Sequence, residues 1–121
     1  MVACWYIYYV DMCQVTKIPK PKFTAIVCIK PEPHGFLINS KIGQFIQNRP
    51  ESFKAQVRIL ASRYSFLDHD SFIDCSQLFL FKAQDLQSRE SIQNDTKAEI
   101  LKIVSESKML TTMQKAQILN S

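Results

Sequence analysis

Apolar and polar positions along the chain change rhythm once, close to Phe81. Up to that point they repeat every two residues. In "WYIYYV" (5–10) aromatic and β-branched residues predominate, and alternation places Trp5, Ile7 and Tyr9 on one face of a strand. "KIPKPK" (17–22) interleaves lysines and prolines, which predicts an exposed, extended connection. It leads into "FTAIVCI" (23–29), apolar almost without interruption, the pattern of a central strand buried on both faces. "KPEPHG" (30–35) then supplies prolines and a glycine ahead of "FLINS", predicting the turn of an antiparallel hairpin. Residues 41–54 hold no sustained period and include Pro50, so a loop with one short helical turn is expected there. "AQVRILA" (55–61) alternates Val57, Ile59 and Ala61 against Gln56, Arg58 and Leu60, as a strand does. In "SFIDCSQLFLF" (71–81) Phe72 points opposite to Ile73 and Cys75, which face inward in a further strand or a strand followed by a turn.

Beyond Phe81 the spacing becomes helical. "NDTKAEILKIVSESKML" carries Asp95 and Glu99 early and lysines later, with Ile100, Ile103 and Val104 on one stripe. Thr111 stands three residues before Gln114, the spacing of a capping box that opens a last short helix through Leu119. These elements predict one α+β domain over residues 1–121: a small, strongly curved antiparallel sheet or barrel (1–81) followed by C-terminal helices (82–121).

Length agrees with one domain, since 121 residues bury one core but not two. The chain holds only two glycines, Gly35 and Gly43, so it has no Gly-rich loop to cradle phosphates, and no cofactor is expected. Its four cysteines, Cys4, Cys13, Cys28 and Cys75, form no CxxC pair and mostly sit in apolar runs, which favours reduced thiols and a cytoplasmic protein. The apolar N-terminus lacks a basic leader region and stops at Asp11, too soon for a membrane span. Charge is distributed unevenly. Residues 1–65 carry nine Lys/Arg against Asp11, Glu32 and Glu51, an excess that suits a polyanionic partner.

Chemically, "FLDHDSFIDCSQL" (66–78) is the densest stretch. Zinc needs three or four N or S ligands at defined spacing, and His34 is the only other histidine besides His69, so no metal is expected. "HDSFIDC" is not a nucleophile elbow either. The simplest reading makes Asp68, Asp70 and Ser71 a capped turn leading into a strand. Elsewhere, Lys17, Lys20 and Lys22 with nearby aromatics fit a surface that grips phosphates and stacks bases.

An aromatic first strand, "KPKFTAIVCI", a strand ending in "ILAS", then "FLDHDSFIDCSQL" and a helical tail, in that order, resemble the MazF/PemK-like toxins of bacterial toxin-antitoxin systems, in a divergent branch. The resemblance implies an SH3-like barrel, a homodimer, and a metal-independent endoribonuclease that cleaves single-stranded RNA to 2′,3′-cyclic phosphate ends. That reaction needs a base for the ribose hydroxyl, a cation for the phosphate and an acid for the leaving oxygen. The position matching the family's arginine, which precedes a proline, is Lys22, here followed by Phe23. The position matching its threonine falls near Ser62, beside Arg63. Lysine keeps the charge without the bidentate grip, and serine keeps the hydroxyl.

The resemblance therefore makes Lys22, Ser62, Arg63 and His69 the catalytic candidates. Lys17, Lys20, Lys41 and Arg58 are the RNA-binding candidates. Loss of the Arg-Pro signature motivates a second expectation, a non-catalytic module of toxin-like fold that binds an antitoxin or another protein partner.

Overall fold

The computed structural model describes residues Met1–Ser121. Its strands are β1 (Tyr6–Cys13), β2 (Lys20–Cys28), β3 (His34–Asn39), β4 (Gln56–Ile59), β5 (Ser71–Asp74), β6 (Phe79–Leu80) and β7 (Gln87–Ser91). Its helices are α1 (Gln44–Gln47), α2 (Pro50–Lys54), α3 (Asn94–Glu106) and α4 (Thr112–Leu119). The strands make one antiparallel sheet in the order β4-β5-β3-β2-β1-β7, with β6 paired to the His34–Gly35 end of β3.

The α+β class agrees with the sequence, but the sheet does not close into a barrel. β4 and β7 remain its two edges. Closure would be one way to bury an apolar face of the sheet, and here helices do so instead. Ile100 and Val104 of α3 and Ile118 of α4 are fully buried against Ala25, Val27, Phe36, Ile38, Val57 and Ile73 of the sheet. A smaller cluster of Tyr8, Val10, Cys13, Ile26 and Phe81 covers part of the opposite face. β2 therefore has apolar neighbours on both faces, and its residues from Thr24 to Cys28 are buried, as the unbroken "TAIVC" run requires.

Glycine is required at position 35 by close approach. A Cβ there would lie 2.5 Å from Thr24 Oγ1 and 2.8 Å from the Ala25 carbonyl oxygen. The Thr24 hydroxyl is itself committed, donating to the Phe36 carbonyl at 2.9 Å.

Other differences from expectation have local causes. The lysine-proline stretch is a connection only to Pro19, and Lys20, Pro21 and Lys22 already belong to β2. Residues 41–54 contain two short helices, the second begun by Pro50 at its first position, where the missing N-H costs nothing. β7, "QSRES", lies in the stretch expected to be helical. It is an exposed edge strand with no apolar period to betray it, and it forms by pairing with β1. Trp5 precedes β1 at φ 60°, an uncommon conformation for a bulky residue, held by Trp5 N-H to Ile26 O (2.7 Å) and Ile92 N-H to Trp5 O (3.0 Å). The capping box predicted at Thr111 and Gln114 is present in both directions. The four cysteines are free thiols, and no helix is long and apolar enough to cross a membrane.

Candidate nucleic-acid interface

Where β2 begins and β3 ends, the sheet meets the loop between β4 and β5. Asp70 ties the two ends of that loop together, accepting from the Ala61 N-H (2.9 Å) and from Arg58 Nη2 (2.9 Å). The result is a compact ten-residue surface loop, 61–70, with its ends in contact. The backbone donor, then the guanidinium, hold the Asp70 carboxyl below its ordinary range. Ser71 Oγ donates to the His69 carbonyl at 3.1 Å. Asp70 and Ser71 are thus both engaged within the loop, and the N-H that Asp70 satisfies lies across it. Asp68 is exposed on the rim and makes no side-chain hydrogen bond.

The middle of the loop is anchored to the helical side. The Tyr64 hydroxyl, buried, donates to Thr96 Oγ1 (2.8 Å) and accepts from the Gln93 N-H (3.0 Å). Glu90 Oε1 accepts from the Phe66 N-H and from Ser65 Oγ, both at 3.1 Å. Phe66 is thereby held over the sheet.

Between this loop and the sheet lies a cavity of about 230 Å³, bordered by Lys22, Phe23, Ser40, Phe66, Asp68 and His69 among others. Its aromatic wall extends across the sheet surface. Phe66 meets Phe23 at 4.8 Å between ring centroids, edge to face, and Phe23 meets Tyr9 at 5.4 Å. Arg89 caps the far end, its guanidinium 4.9 Å from the Tyr9 ring centre. The β1–β7 register explains this placement: Ile7 pairs with Glu90 but Tyr8 pairs with Ser88, leaving Arg89 as the extra residue of a bulge. Bulges re-aim side chains, and this one turns a cation onto the aromatic run. Tyr9, Phe23 and Phe66 are all half-buried, so each ring keeps part of its surface toward solvent.

The catalytic candidates do not assemble here. Lys22 and His69 border one cavity, but the Lys22 ammonium is engaged by Asn39. Lys22 Nζ donates to Asn39 Oδ1 at 2.5 Å. Burial, reinforced by neighbouring Lys20, lowers the ammonium pKa from its ordinary value. Arg63 lies on a different surface, paired in bidentate fashion with Asp95 in the first turn of α3, which raises the Arg63 pKa and lowers that of Asp95. It clamps the loop to α3. Ser62 is exposed on the turn after β4, and makes no side-chain hydrogen bond.

Lys17, Lys20 and Lys41 are exposed and form no ion pair, whereas Arg58 is paired with Asp70. His34, the other histidine, is buried and donates from Nδ1 to the Glu32 carbonyl oxygen at 2.6 Å. No three metal-ligating side chains converge anywhere in the chain.

Sequence reasoning missed Tyr9, Phe23, Phe66 and Arg89. The only available signal was an aromatic residue at the polar end of each of two adjacent strands. Compared with protein-family models and with curated proteins, the sequence finds no match.

Proposed function

We propose that this domain binds single-stranded RNA, stacking bases on the Tyr9–Phe23–Phe66 run and holding phosphates with the surrounding cations. The observation that carries the reading is the continuity of three partly buried rings between Arg89 at one end and the His69 cavity at the other. Every base has a π-face, so such a platform binds single strands with little sequence preference. Lys17 and Lys20, exposed and without an acidic partner at the start of β2, supply the electrostatic share.

Binding is favoured over cleavage. Strand scission at a ribose needs base, acid and phosphate cation around one phosphorus. Arg63 is neutralised by Asp95, Ser62 does not border the cavity, and the ammonium of Lys22 is engaged by Asn39. Of the four catalytic candidates, His69, exposed at the cavity rim, is the one retained there, as an RNA contact.

The test is anisotropy of labelled mixed-sequence RNA without metal, with the same RNA run on a gel for cyclic-phosphate ends. Saturable binding that weakens steeply with salt and falls roughly 5- to 100-fold in Phe66→Leu, which keeps apolar bulk but removes the ring, supports the proposal. Absence of saturable binding would overturn it and favour a protein-interaction module. Cyclic-phosphate product would reassign His69 to acid–base work.

A further inference from the structure

The loop over the cavity carries a carboxylate that the fold does not use. Of the two acids in the 61–70 loop, Asp70 is engaged twice, by the Ala61 N-H and by Arg58. Asp68 borders the cavity, is exposed, and takes part in no ion pair and no side-chain hydrogen bond. Its place is nevertheless fixed from both sides. Two residues before it the Phe66 N-H donates to Glu90 Oε1 at 3.1 Å, and two residues after it Asp70 closes the loop.

A free carboxylate repels a phosphate brought beside it. The one lysine that borders the cavity, Lys22, already donates to Asn39. The cavity therefore suits a base better than it suits the backbone. Phe23 and Phe66 supply an aromatic wall, their ring centroids 4.8 Å apart, and Asp68 supplies two acceptor oxygens. A carboxylate that only accepts selects bases by their donors. On the Watson–Crick edge uracil offers one ring N-H, and adenine and cytosine offer one amino group each. Guanine alone sets a ring N-H, at N1, beside an amino group, at N2, so that two parallel donors meet two carboxylate oxygens.

We infer that the cavity takes one unpaired guanine of the bound strand, with Asp68 accepting from its N1-H and its N2 amino group. Ser40, exposed on the same border and without a side-chain hydrogen bond, offers its hydroxyl to the guanine O6. Asp68 is thus the residue that sets specificity. The inference rests on the single-strand reading of the aromatic run and adds one position to it. Stacking along Tyr9 and Phe23 accepts any base, and the base that reaches the cavity is read.

Fluorescein-labelled oligouridines of about eight nucleotides, with one central guanosine, inosine, adenosine or cytidine, test this by anisotropy. Wild-type protein should bind the guanosine RNA roughly 5- to 150-fold more tightly than the adenosine RNA, the range of one good bidentate pair. Inosine keeps N1-H and O6 but lacks the N2 amino group, and should lose most of that advantage. Asp68→Asn, which keeps the shape of the side chain but turns one acceptor into a donor, should bring the four RNAs level. Four equal affinities in the wild-type protein, or a preference for another base, would overturn the guanine site and leave the aromatic platform standing. So would a guanosine advantage that inosine retains or that survives in Asp68→Asn. Loss of all four RNAs by an Asp68→Asn protein that circular dichroism shows to be folded would overturn it too, since the carboxylate would then serve binding and not choice of base. Should that variant fail to fold, the inosine comparison decides on wild-type protein alone. If none of the four RNAs binds the wild-type protein, both readings fall.

Discussion

Arg63 and Asp70 show how charged residues in a suggestive stretch turn out to be fasteners. Arg63 locks the 61–70 loop to α3 through Asp95, and Asp70 locks the loop ends through Ala61 and Arg58. Both carboxylates have pKa values below the ordinary 3.8, so the folded state binds their protons less readily than the unfolded one. Their contribution to stability is complete above the unfolded value and is lost as pH falls through the folded one. Asp95→Asn should therefore flatten the acid limb of a stability–pH curve measured by urea unfolding, and an unchanged limb would rule out that clamp. At Gly35 the prediction is steric. Gly35→Ala forces a Cβ into Thr24 and the Ala25 carbonyl and should cost about 1–3 kcal/mol in the same measurement. Residue roles were the least legible layer of the sequence. His69 stood out for its neighbours, but the partnership of Arg63 with Asp95 joins distant segments, and no local pattern announces it.

Elements with apolar period were legible, and those made by pairing were not. β2 announced itself because both its faces are buried, and α4 because its capping box is local chemistry. β7 did not, since an exposed edge strand needs no apolar residues. Yet β7 orders the site, placing Arg89 on Tyr9 through its bulge and Glu90 under Phe66. The helices carry the core: Ile100→Ala, at a fully buried position of α3, should lose about 2–5 kcal/mol, and Thr111→Ala, which removes the α4 cap, about 1 kcal/mol. Chemical denaturation of both variants checks the ranking. A Thr111 cost exceeding the Ile100 cost would mean that α3 does not pack as described.

Across the whole molecule, the sheet stays open because α3 and α4 bury the face that a barrel would enclose. The open sheet carries the Tyr9–Phe23–Phe66 run across one face at the cavity end. The fold class followed from the order of strands and helices, but closure depends on whether two edge strands find each other, which pattern alone does not encode. The basic first half, likewise legible, proves to be distributed: Arg58 and Arg63 are paired, while Lys17, Lys20 and Lys41 are exposed and form no ion pair. The central claim is that aromatic stacking at the cavity end of the sheet binds single-stranded RNA. Anisotropy titration of a labelled mixed-sequence RNA with wild-type and Phe66→Leu protein tests it most directly. Saturable, salt-sensitive binding reduced roughly 5- to 100-fold by the substitution is the predicted result, and equal binding by the two proteins would contradict it.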